Sequence, residues 1–145
     1  MILGIDHTAL SVPDLEQALA FYCGLLGFEV EVRAQWQAGD ELADTVIGER
    51  DTAARTALIK AGGARIELFE YRSPVGAAPA GLRPLWDHGI THLCFNVADI
   101  RAEYERLCAA GIAFNSEPVR MGRWQFVYGR DPFGNVFELK QRDKS

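Results

Sequence analysis

Two histidines and two glutamates recur at matched places in this chain, and together they make a donor set for a divalent cation. His7 and His92 lie in the similar stretches IDHTALSVPDL (residues 5–15) and ITHLCFNVADI (residues 90–100), offset by 85 residues. Glu67 and Glu138 lie in GARIEL (63–68) and GNVFEL (134–139), offset by 71. Strand side chains alternate between faces. Ile66 and Leu68 therefore point one way, and Arg65, Glu67, Phe69 and Tyr71 the other. Leu93, Phe95 and Val97 oppose His92, Cys94 and Asn96, and Phe137 and Leu139 oppose Glu138 and Lys140. A lone strand histidine is most often structural, and a lone strand glutamate most often faces solvent. Recurrence of both types in both halves, each opposite the apolar parity, favours a shared task. Carboxylates gathered on one concave face repel one another and lose hydration. A cation removes that conflict. Two imidazoles with two carboxylates suit one borderline divalent ion (Zn, Ni, Co, Mn or Fe), with positions left for water or substrate.

The elements that must position these residues follow one plan in each half. A strand comes first, over 2–11 and 90–97. A helix follows, with Asp14 and Asp99 as its N-caps. Leu15, Ala18, Leu19, Tyr22, Leu25 and Leu26 share one face of the first helix; Ile100, Tyr104, Leu107 and Cys108 do so in the second. Gly27 and Gly111 suit the helix exits. Strands recur over 28–36, 55–61 and 64–71, and again over 113–120, 123–129 and 135–141, with turns at 60–63 and 131–135. The drop in offset from 85 to 71 leaves about fourteen extra residues in the first half, placed within 37–53. The fold class is α+β, with a first module over 1–71, a linker over 72–89 marked by Pro74, Gly76, Pro79, Gly81 and Pro84, and a second module over 90–145.

Composition bounds the partners. The net charge of −5 gives no basic footprint for nucleic acid. The longest uncharged apolar run, 18–28, is far short of a membrane span. Cys23, Cys94 and Cys108 are odd in number and form no CxxC, so reduced thiols in a cytoplasmic setting are expected. The N-terminus reads at once as a strand, and no signal peptide is expected. No nucleophile elbow or phosphate-cradling glycine loop appears. The expected partner is a small molecule. Arg33, Arg65, Arg120 and Arg123 are the candidates to hold a carboxylate or phosphate on it. Arg65 shares the Glu67 face, and Arg123 lies on an expected cavity strand. With Phe69, Asn96, Trp124, Phe126 and Tyr128, these two complete the expected substrate contacts.

The opening IDHTALSVPDLEQALAFYCGLLGFEV and the close RDPFGNVFEL resemble the vicinal oxygen chelate superfamily over residues 5–140. That group includes glyoxalase I, methylmalonyl-CoA epimerase, extradiol dioxygenases, fosfomycin resistance enzymes and bleomycin-binding proteins. The resemblance implies two tandem βαβββ modules, forming a curled, mostly antiparallel sheet around a metal site, often in a homodimer. It places the ligands at His7, Glu67, His92 and Glu138, on the first and last strand of each module. It implies a metal-dependent isomerase, epimerase or lyase that removes a proton next to a carbonyl, with Glu138 as the first candidate base and Glu67 the second. Two other activities remain open. An extradiol-type Fe(II) dioxygenase would use His7, His92 and Glu138. A drug-binding protein without chemistry would use aromatic walls from Trp36, Trp86, Trp124, Phe126 and Tyr128.

Overall fold

The computed structural model describes residues 1–77 and 81–143, so Pro79 of the expected linker lies outside the described residues. The chain divides into two compact units, Met1–Ala78 and Pro79–Ser145. The first carries β1 (Thr8–Ser11), α1 (Leu15–Leu19), β2 (Glu29–Trp36), α2 (Glu41–Ile47), β3 (Ala53–Ala61) and β4 (Ala64–Ser73). The second carries β5 (Leu93–Asn96), α3 (Ile100–Ala109), β6 (Val119–Met121), β7 (Trp124–Arg130) and β8 (Val136–Arg142).

Each unit builds its own four-stranded sheet, in the orders β1-β4-β3-β2 and β5-β8-β7-β6. This differs from the expectation of one curled, mostly antiparallel sheet. The helix after the first strand returns the chain so that the last strand runs beside the first in the same direction. β1/β4 and β5/β8 are consequently parallel, while the remaining pairs are antiparallel. The first strands are also shorter than expected. β4 begins only two residues before Ile66, the partner of Thr8, so little ladder remains for residues ahead of Thr8. His7 and His92 each sit one residue before the first paired position of their strand. The strand expected over 113–120 contracts to Val119–Met121, and Phe114 makes an isolated bridge to Gly129.

The cores lie between sheet and helix. In the first unit Leu15, Ala18, Leu19 and Tyr22 are buried, as are Ala57, Ile59, Ile66 and Leu68 on the sheet. Each fully buried Leu or Ile contributes about 2 kcal/mol. α1 runs into a π-helical turn, Ala20–Leu25, where Leu26 N–H donates to Phe21 O at 2.9 Å. This wider winding lets consecutive residues Phe21 and Tyr22 both enter the core, with their rings edge to face at 4.9 Å. In the second unit Ile100 and Leu107 of α3 are buried, as are Val127, Phe137 and Leu139. The extra residues of the first half form α2, tied down where the Asp44 carboxylate accepts from Asp51 N, Thr52 N and Thr52 Oγ1. Among the described residues no helix is long and apolar enough to cross a membrane.

One device fixes helix to sheet twice. Glu70 Oε2 accepts from Leu15 N at 2.8 Å, and Gln141 Oε1 accepts from Ile100 N at 2.6 Å. The two acceptors stand three residues after Glu67 and Glu138 respectively. Asp14 and Asp99 cap the same helices, accepting from Gln17 N and Ala102 N. Glu70 differs from Gln141 in its charge, which also engages Arg55 and Arg72. Burial pushes the Glu70 pKa up, but Arg55, the Leu15 N–H and Arg72 outweigh it, and the net shift is downward. A depressed carboxylate contributes stability that is complete above its unfolded pKa of about 4.3 and is lost as pH falls through the folded value. Glu70→Gln keeps the cap and removes the charge. It is expected to lower stability by about 1–3 kcal/mol at pH 7. Urea melts of the two proteins should converge as pH drops below about 4; a gap that stays constant down to pH 3 contradicts the assignment.

Candidate functional site

The four metal-ligand candidates stand as two alike pairs, one in each unit. His7 Nε2 faces Glu67 Oε2 at 3.1 Å, and His92 Nε2 meets Glu138 Oε2 at 3.1 Å. Each imidazole is held from behind by the side chain just before it. Asp6 Oδ1 lies 3.0 Å from His7 Nδ1, and Thr91 Oγ1 lies 2.8 Å from His92 Nδ1. The hydrogen bond to His7, its largest cause, draws the Asp6 pKa down. Holding Nδ1 fixes the ring and turns Nε2 forward, the usual support for a metal-binding histidine. Asp6 and Thr91 are equivalent under the 85-residue offset, yet strand parity does not single them out.

No group of three or more His, Cys, Asp or Glu side chains that could hold a metal occurs among the described residues. The donor chemistry within each pair nonetheless fits an ion. Two donors on adjacent positions of a cation with bonds of about 2.1 Å lie about 3 Å apart, and the observed separations match this spacing. Glu138 is the most enclosed of the four donors, with only 7% of its surface exposed.

The register of the second sheet arranges the Glu138 face in rows. Cys94, Glu138 and Tyr128 form one row, and Asn96, Lys140, Phe126 and Val119 the next. Arg142, Trp124 and Met121 form the third. Tyr128 also packs edge-on against His92, centroids 5.1 Å apart. Burial first, and the Glu138 carboxylate next, push the Tyr128 phenol up from its ordinary pKa. A cavity of about 310 Å³ opens on this face, with Glu138, Tyr128, Phe126, Val119, Met121 and Asn115 in its wall.

The Glu67 face of the first sheet has a different character. Phe69 and Tyr71 stack at 5.7 Å, and Trp36 meets both rings edge-on at 6.2 Å. Trp36 Nε1 donates to Thr52 Oγ1 at 2.9 Å, which links this aromatic cluster to the α2 segment. Arg65, two residues before Glu67, is engaged by Asp6 and Glu31. Of the expected substrate contacts, Trp124, Phe126 and Tyr128 share the Glu138 face, Asn96 is exposed in the second row, and Phe69 lies in the aromatic cluster. Arg123 is not on the cavity strand as expected: β7 begins at Trp124, and Arg123 falls in the exposed turn before it.

Comparison with known proteins agrees with this architecture. The model of the Glyoxalase/Bleomycin resistance protein/Dioxygenase superfamily matches residues 4–139, and the chain belongs to that superfamily. It is 33% identical over 150 residues to a 2-epi-5-epi-valiolone epimerase of an Actinomyces species, covering 94% of this chain and 78% of that one. It is 30% identical over 158 residues to the ethylmalonyl-CoA/methylmalonyl-CoA epimerase of Cereibacter sphaeroides, covering 97% and 99%. The crystal structure of a glyoxalase family protein from Bacillus cereus superposes with a TM-score of 0.89 at 25% identity, covering 99% of this chain and 97% of that one.

Proposed function

We propose that this protein is an epimerase-type isomerase that removes a proton from the carbon next to a carbonyl, with Glu138 as the base. His7, Glu67, His92 and Glu138 are the proposed ligands of one divalent cation. The observation that carries the reading is the Glu138 carboxylate itself, enclosed, 3.1 Å from His92 Nε2 and in the wall of a cavity. The epimerase relatives support the same reaction class.

A divalent cation, when bound, supplies Lewis-acid stabilisation of the negative charge that grows on the carbonyl oxygen. The chain's own groups do the rest. Asp6 and Thr91 hold the imidazoles at Nδ1, so that little reorganisation is needed during reaction. His92 Nε2 and Glu138 Oε2 meet at 3.1 Å, so the imidazole sets where the carboxylate stands. Inverting a centre requires removal of a proton on one face and its return on the other, and Glu67 is the second carboxylate available for that return. Phe126 and Tyr128 present apolar surface beside Glu138.

The test is solvent-deuterium exchange. Metal-loaded protein is incubated in D2O with 2-substituted acyl thioesters and with cyclic polyhydroxy ketones, and loss of the α-proton is followed by NMR. Exchange at one stereocentre, with both epimers appearing, is the expected result. Failure of every member of both sets to exchange, with metal shown to be bound, rules the reading out.

A further inference from the structure

We propose that Lys140 is the residue of this site that recognises an anionic oxygen group on the substrate, a carboxylate in the first instance. The inference deepens the assignment of Glu138 as the base and rests on it. Lys140 follows Glu138 by two residues on β8, so both side chains leave the same face. Their rows are about 7 Å apart, two residues of strand rise. A substrate with its acidic carbon at Glu138 and a charged group a few bonds away spans that distance.

The charge on Lys140 is held without being neutralised. Its Nζ lies 4.2 Å from the centroid of the Trp124 ring and 5.7 Å from that of Phe126. Ring faces attract an ammonium through their quadrupole and leave its full charge and its outward N–H donors for another partner. No carboxylate among the described residues lies within ion-pair distance of Lys140. Arg65 is paired with Asp6 and Glu31, Arg33 with Glu16, Arg55 with Glu70, and Arg120 with Asp143; Arg142, one row further from Glu138, shares the Trp124 ring at 5.4 Å, which leaves Lys140 as the cation of this face nearer the base. In a chain with 20 acidic residues against 15 Lys and Arg, partners for a cation are plentiful. Phe126, one of the two rings beneath the ammonium, lines the same cavity as Glu138.

The repeat gives an internal control. Under the 71-residue offset, Lys140 occupies the place of Phe69 in the first unit, where the face is aromatic. A cation is therefore no requirement of the duplicated fold. Its presence in one unit makes the two faces chemically unlike. Asn96, beside Lys140 in the same row, adds a neutral donor to the same group.

The experiment measures binding without turnover, on the full chain as purified. Tryptophan emission and saturation-transfer NMR report titrations with propionate, with its neutral counterpart propionamide, and with inorganic phosphate. Lys140→Met keeps the apolar stem against Trp124 and removes the charge, whereas Lys140→Arg keeps a charge. Propionate affinity should fall at least tenfold in Lys140→Met, recover in Lys140→Arg and weaken with added salt. Propionamide should bind both proteins alike. Phosphate showing the same dependence on Lys140 also supports the assignment and identifies phosphate as the group held. Equal propionate and phosphate affinities in the wild type and in Lys140→Met, with melting temperatures matched, overturn it. Glu138→Gln should still bind propionate, so a failed base assignment and a failed anion assignment leave different signatures.

Discussion

Glu138→Gln is expected to slow α-proton exchange by about a thousandfold while leaving the fold in place. The replacement keeps volume and planarity, and its amide keeps the place beside His92 Nε2 that Oε2 holds at 3.1 Å in the native pair. The proton affinity of the side chain is what disappears. Because the position is only 7% exposed, exchanging a charged group for a neutral one removes a desolvation cost. In the metal-free protein the melting temperature should stay level or rise. The loss should fall on kcat with KM little changed, as for a group acting in the transition state. Glu67→Gln should separate the steps: if Glu67 only returns the proton, exchange from one epimer persists while interconversion slows. An exchange rate in Glu138→Gln equal to that of the wild type removes Glu138 from the role of base.

The two His–Glu pairs are legible in the sequence for a simple reason. His7, Glu67, His92 and Glu138 are chemically specific types that recur opposite an apolar parity, and parity is a local property of a strand. What parity cannot report is the partner across a ladder. Lys140 is placed on the Glu138 face by alternation alone, but its seat over Trp124 depends on the β7–β8 register, which pairs Phe126 with Lys140 and Trp124 with Arg142. The supports Asp6 and Thr91 escaped for a related reason. Adjacent residues point to opposite faces within a strand, and these two reach their histidines from just ahead of the paired positions. Strand lengths overshot because apolar pattern continues past the point where a neighbour ends, as at residues 2–7. Alternation places Arg65 on the Glu67 face, but the ions that engage it, Asp6 and Glu31, come from distant parts of the sequence.

The second large effect is expected at Asp131, through the turn that launches the Glu138 strand. Asp131 is 5% exposed, and its carboxylate accepts from Phe133 N at 2.9 Å, Asn135 N at 2.8 Å and Asn135 Nδ2 at 2.8 Å. Its backbone closes the same loop, with Asp131 N donating to Asn135 O and Gly134 N donating to Asp131 O. Gly134 takes φ +88°, the left-handed conformation that the reversal requires. β8 starts at Val136, so the loop sets where Glu138 emerges. Asp131→Ala strips an acceptor from two backbone N–H groups and one amide in a partly buried turn. Each orphaned donor costs about 1–3 kcal/mol, and relaxation toward water recovers part of it. A net loss of about 3 kcal/mol is expected, read as a lower urea midpoint with an unchanged slope. The kinetic signature should differ in kind from that of Glu138→Gln. Asp131→Ala lowers the folded population, so its exchange rate should return toward the native value on cooling or with ligand present. The deficit of Glu138→Gln should be indifferent to both. An Asp131→Ala protein as stable as the wild type would show that the chain rebuilds this turn without its carboxylate, and the loop would then have no part in placing Glu138.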